Sequence, residues 1–257
     1  MDTDTQENRL NIAYDFICQV KSDLKTKNRF SVDKRFDELI DLYVDEETNT
    51  QILKKGKRLY RARIYKEDDA RDRFLMPPKG TRFKGHNAKN SFVNLKHEEI
   101  CEGRCNPQFI PYLYASSSID CCVYEMRPAK DTYISVANIT VKEDLRILKL
   151  NEHGCFMADT GRTIIDDVMD VTMFFYLAHE FSRPHKAYGD YLLCQYVSER
   201  VKSYGFDGIA FNSAIYSGKS AINYVIFNYK KCKATSSTLR YISDVKIESC
   251  SNKDLSL

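Results

Sequence analysis

The chain has no tryptophan, and no stretch approaches the roughly 18 consecutive apolar residues that a membrane span requires. Its start, with Asp2, Asp4, Glu7 and Arg9, has neither the basic opening nor the apolar centre of a signal peptide. A cytoplasmic protein with no membrane association is therefore expected. No GxSxG elbow is present, which argues against a serine hydrolase. A Rossmann fingerprint is also missing, and the Gly218–Lys219–Ser220 sequence lacks the first glycine of a phosphate-binding loop. There is no internal repeat and no low-complexity tract.

Charge of either sign is not in excess: 39 basic against 36 acidic residues leaves a net charge of +3, which neither demands nor forbids nucleic acid. The nine cysteines are odd in number and the chain is neither short nor equipped for secretion, so a disulfide framework is not expected. Buried free thiols behave as small hydrophobes and fit better. His97, Cys101 and Cys105 are spaced four apart, but Gly103 and Asn106–Pro107 interrupt any helix that would align them. No second cysteine pair with zinc spacing follows, and no metal is expected.

What is present is the balance of a globular protein, with 43% hydrophobic and 29% charged residues. The length of 257 residues suits one domain of ordinary size with an appendage. Residues 7–26 place Leu10, Ala13, Tyr14, Ile17, Val20 and Leu24 on one helical face. A second helix is expected over 33–44, capped by Ser31 or Asp33, and 45–56 reads as polar and turn-like. These elements form a helical appendage over 1–56, ahead of a main domain over 57–257.

In the main domain, strands are expected at 58–65, 112–116, 132–141, 145–150, 207–212 and 222–227. Ser117 or Ser118 caps a helix that carries Cys122, Val123 and Met126 and is stopped by Pro128. Further helices are expected over 164–181 and 190–203, the latter ending near Gly205. Residues 66–105 read as loop-rich. Strands and helices do not alternate regularly, which favours an α+β domain over a doubly wound parallel sheet.

Three residues stand out as candidates for chemistry. Arg61 shares a strand face with Leu59 and Arg63, and two arginines there are costly to bury unless they meet anions. Glu125 lies in the helix after the 112–116 strand, where a carboxylate can serve as acid, base or cation stabiliser. Ser213 ends the apolar run GIAFNSA, and strand ends often present functional side chains. Each has an ordinary alternative: a solvated sheet face, a solvent-facing helix glutamate, a turn serine.

In order, the fragments LYRAR (59–63), GRCNP (103–107), YLYASSSIDCCVYEMRP (112–128), YLLCQYVSERVKSYGFDGIAFNSA (191–214) and INYVIF (222–227) resemble the RES-domain family, named for an arginine, a glutamate and a serine. The resemblance spans about residues 57–230. It implies an α+β fold related to the NAD-binding ADP-ribosyltransferases, with NAD+ as substrate and no further cofactor. It also implies the role of toxin, with a cognate antitoxin as partner. Arg61, Glu125 and Ser213 take the three named positions. Arg104 and Tyr114 match the turn arginine and the following tyrosine, with Asn223 and Gln195 as supports and Arg63 in reserve.

These residue types suit cleavage of the nicotinamide–ribose bond, which passes through an oxocarbenium-like state. A fixed carboxylate, Glu125, would stabilise the ribose charge. Arg61 and Arg104 would grip the diphosphate, Tyr114 would stack on the nicotinamide, and Ser213 would orient the ribose or the amide. Hydrolysis or phosphorolysis of NAD+ is the favoured reading, with ADP-ribosyl transfer to a protein as the alternative. Two further readings are a non-catalytic scaffold and a nucleic-acid binder built on the basic run Lys54–Arg63 around Tyr60.

Overall fold

The computed structural model describes residues 3–65, 85–93, 97–150, 164–183, 191–216, 218 and 221–246. Helix α1 (Thr3–Thr26) and helix α2 (Lys34–Asp45) come first. Asp33 caps α2 by accepting the Arg35 amide at 3.0 Å. The chain then supplies β1 (Thr50–Leu53), β2 (Arg58–Ile64), β3 (Leu113–Ser116), α3 (Ile119–Tyr124), β4 (Tyr133–Val141) and β5 (Leu145–Leu150). Helices α4 (Ile164–Ser182) and α5 (Leu192–Ser203) follow, then β6 (Gly208–Asn212), β7 (Ile222–Ile226) and β8 (Cys232–Tyr241). Gly205 ends the α5 turn with φ 78°, a left-handed backbone that glycine adopts without strain.

Among the described residues eight strands form one sheet in the order β1-β5-β6-β7-β3-β2-β4-β8, and of these only β5 and β6 pair in parallel, so the expected α+β architecture holds. Among the described residues no helix is long and apolar enough to cross a membrane.

One face of the sheet carries most of the core. Leu148, Ile209, Phe211 and Val225 point into a single apolar cluster that Phe36, Ile40, Tyr43, Leu177, Phe181 and Val197 complete from α2, α4 and α5. The N-terminal helices belong to this same cluster through Ile17, Val20, Leu39 and Val44. Further along the same face, α3 covers Ala62, Ile134 and Val136. The cavity lies between these two helical covers, lined by Ser182 and Phe211 on one side and by Cys122 and Met126 on the other.

Three expectations need correction. The turn-like stretch at 45–56 contains β1, whose sequence TQIL is too short for a period and becomes a strand only by pairing with β5. No strand was expected after 227, yet β8 pairs with β4 along nine positions. Its sequence CKATSSTLRY is mostly exposed, so no apolar alternation marks it. Finally, α3 ends at Tyr124 rather than running to Pro128. Arg127, immediately before Pro128, turns left-handed at φ 45°, which takes the chain out of the helical path.

Candidate active site

The early end of α3 places Glu125 at its C-cap, not within the helix. Carbonyl groups point out of that end and repel a carboxylate. Two side chains from neighbouring strands offset this. Ser213 Oγ donates to Glu125 Oε1 at 2.6 Å, and Asn223 Nδ2 donates to the same oxygen at 2.6 Å. Both are charge-assisted bonds. Among the described residues nothing donates to Oε2, and Glu125 lines a cavity of about 300 Å³.

Each partner is itself held. Ser213 follows β6, and its Oγ accepts the amides of Ile215 (3.2 Å) and Tyr216 (3.1 Å). A hydroxyl has two lone pairs and one hydrogen, so the hydrogen is directed at the carboxylate and no lone pair is left to attack a substrate. Asn223 lies on β7, where its Oδ1 accepts Ser116 Oγ at 2.7 Å and the Cys121 thiol at 3.6 Å. That fixes which end of the amide faces Glu125. Ser116 has no counterpart among the sequence candidates, although it sits in the quoted YLYASSS fragment. Its role depends on the β3–β7 register that sets it opposite Asn223.

Arg61 lines the cavity from β2, which among the described residues pairs with β3 at Tyr60 and Ser116. The Tyr114 carbonyl accepts Arg61 Nη1 at 3.1 Å. Among the described residues no carboxylate lies within ion-pair distance of Arg61. Burial, reinforced by the nearby Arg63, pushes its pKa down to about 10. The guanidinium stays charged near neutral pH, a half-buried cation with no carboxylate beside it among the described residues. Arg61 also lines a second cavity of about 210 Å³ together with Arg63 and Asn106.

Arg104 lines the main cavity from the opposite wall, over the Phe211 ring at 5.6 Å from its centroid. Its Nη1 donates to carbonyls at the end of α4: Arg183 at 2.9 Å, Glu180 at 3.4 Å, and Phe181. The turn that carries it is tight. A Cβ on Gly103 would come within 2.4 Å of Asn106 Oδ1 and 2.7 Å of the Tyr114 hydroxyl. That hydroxyl donates to Asn106 Oδ1 (2.7 Å) and accepts the Cys105 amide (2.9 Å). Tyr114 thus edges the cavity with its ring while its polar end is used inside the turn; burial raises its pKa well above the ordinary value. Asn106, not singled out in the sequence, also donates to the carbonyls of Cys101 and Pro107.

The structure therefore gathers Arg61, Arg104, Tyr114, Glu125 and Asn223 around one cavity and sets Ser213 directly behind Glu125. Gln195 lies away from the cavity, under the Arg104 turn. Among the described residues no three His, Cys, Asp or Glu side chains gather as a metal site, and seven cysteines there are free thiols. The arrangement offers one fixed carboxylate and two guanidinium groups facing a space of ligand size.

Comparison with curated proteins gives no match. Among solved structures the chain is similar to the M. tuberculosis MbcT–MbcA toxin–antitoxin complex, with 15% identity, a TM-score of 0.42, and coverage of 80% of this chain and 93% of that one. The RES domain model matches residues 59–244, well over half of the sequence and all the cavity residues named above, so the chain belongs to the RES-domain family.

Proposed function

We propose that the cavity binds NAD+ and cleaves its nicotinamide–ribose bond, with water or phosphate as acceptor. The observation that carries this reading is the Glu125 carboxylate, fixed by two donors at 2.6 Å on the wall of a cavity that also holds Arg61 and Arg104. A preorganised anion stabilises positive charge that develops in a transition state, and two cations suit a diphosphate.

The C1′–N bond breaks with its electron pair passing to the pyridinium nitrogen, so nicotinamide leaves neutral and needs no acid. Positive charge then spreads over C1′ and the ring oxygen of the ribose. Glu125 Oε2, the oxygen not engaged by Ser213 and Asn223, is the stabilising group. Ser213 and Asn223 are positioning residues that keep the carboxylate oriented. An oxygen of water or phosphate closes the reaction by bonding to C1′ and losing a proton to solvent. Arg61 and Arg104 grip the diphosphate, and the Tyr114 ring borders the nicotinamide region.

Membership of the RES family supports the remaining parts of the reading: a cytoplasmic toxin restrained by a cognate antitoxin, acting without metal, membrane or nucleic acid. The test is nicotinamide release from NAD+ by the purified chain, with and without phosphate. Turnover is expected to fall about 100-fold or more in Glu125→Gln, the loss typical of one preorganised electrostatic group. Phosphate dependence distinguishes phosphorolysis from hydrolysis. Undiminished turnover in Glu125→Gln removes the electrostatic role. No release from the wild-type chain under either condition removes the degradation reading, and labelled ADP-ribose appearing on a protein would then favour transfer.

A further inference from the structure

The arginine wall of the cavity is held from outside the region that the family model matches. Two lines of contact begin in the first 31 residues and both end on Arg104. On the backbone side, Arg29 Nη1 donates to Glu199 Oε1 at 2.7 Å and Arg29 Nη2 to Gln195 Oε1 at 3.3 Å. Gln195 is buried, and its Nε2 donates to the carbonyls of Gly103 (3.1 Å) and Asn106 (3.2 Å). A primary amide has two hydrogens, and both are used on the two ends of the turn that carries Arg104. Arg29 fixes which way the amide faces. Flipped, it would aim its NH2 at a guanidinium and its oxygen at two carbonyls.

On the side-chain side, Lys21 Nζ pairs with Glu180 Oε2 at 3.0 Å across α1 and α4, with both groups largely out of water. Salt screens such a pair little. The same end of α4 presents the carbonyls that receive Arg104 Nη1. The position of α4 against α1 therefore sets where the guanidinium can point.

We propose that the N-terminal helical segment is a positioning element of the cavity: Arg29, acting through Gln195, sets the backbone of Arg104, and Lys21, acting through Glu180, sets its guanidinium. The kinetic side of this inference rests on the NAD+ reading. A cation that grips the diphosphate serves the bound substrate and the transition state alike, so displacing it raises KM and leaves kcat in place.

The experiment compares the full wild-type chain with Arg29→Ala, Lys21→Met and the double variant. Glu180 retains Arg183 at 3.2 Å when Lys21 is replaced, so no lone buried charge is left to unfold the chain. Gln195→Glu, close in shape but without the donated bonds, is the second probe of the backbone line. The double variant is expected to raise KM for NAD+ about tenfold with kcat unchanged, within the range of coupling carried through packed contacts. Backbone hydrogen exchange at Gly103 and Cys105 is expected to quicken in Arg29→Ala and Gln195→Glu. An unchanged KM with unchanged exchange overturns the proposal, as does a parallel loss of kcat and of thermal stability. If the wild-type chain releases no nicotinamide, the NAD+ reading fails by itself, and exchange at the two amides still decides whether the brace exists.

Discussion

The two walls of the cavity are built on opposite plans. The glutamate wall is compact: Glu125, Ser213, Asn223 and Ser116 come from the ends of adjacent strands and one short helix, and side chain meets side chain. The arginine wall is spread out. Arg104 is held almost entirely by backbone carbonyls, from α4, and its turn is held by a glutamine from α5. The difference follows from charge. A carboxylate is fixed by donors, which hydroxyl and amide side chains supply. A guanidinium is fixed by acceptors, and neutral carbonyls orient it without cancelling the charge that an anionic ligand needs. Arg61 follows the same rule, with one carbonyl and, among the described residues, no acid.

For substrate binding, the largest expected effect comes from removing that cation. Arg61→Met is expected to raise KM for NAD+ about 100-fold, as charged hydrogen bonds to a diphosphate are lost. Stability should not fall with it. The folded pKa of Arg61 lies below its ordinary value, so the folded chain carries a penalty for the charged form at all pH values below about 10, and the substitution removes the penalty. A melting temperature well below wild type would mean that a partner of Arg61 stabilises the fold, and the contrast between the walls would fail.

Gly103→Ala tests the turn. The added methyl meets Asn106 and the Tyr114 hydroxyl, both pinned by hydrogen bonds, and overpacking of that kind costs about 1–3 kcal/mol. Denaturant unfolding measures the cost, and a neutral result would show that the turn yields. Asn223→Ala probes the glutamate wall and is expected to lower kcat about tenfold while KM holds, since one donor to a charged group is worth about 1.5–3 kcal/mol and Ser213 remains. A rise in KM instead would move Asn223 from positioning Glu125 to contacting the substrate.

Much of the site was legible as separate fragments. The strand at 58–64, the Ser118 cap and the β6 and β7 strands follow from local pattern, and they carry Arg61, Glu125, Ser213 and Asn223. Ser116 and Asn106 were not legible as functional, because their importance lies in what faces them across a register or a turn. The strand β8 was missed for a related reason: a polar edge strand is defined by its neighbour, not by its own hydrophobicity. The sequence reads residues 1–56 as a helical appendage. Packing places Ile17, Val20, Phe36 and Tyr43 in the main apolar cluster.

By itself, the sequence determined the α+β class, the helices and strands with a clear period, and the residue types on offer: one glutamate, one serine and several arginines in a fixed order. Those depend on interactions a few residues long, which a linear pattern records. Tertiary structure alone decided that two donors converge on one oxygen of Glu125, that Ser213 lies behind that carboxylate with its hydrogen-bonding capacity used by the protein, and that Arg61 lines the cavity while donating to the Tyr114 carbonyl. Each depends on the distance between groups far apart in the chain. Charge and hydrogen bonding act over a few ångströms, and only the folded sheet sets which groups come that close.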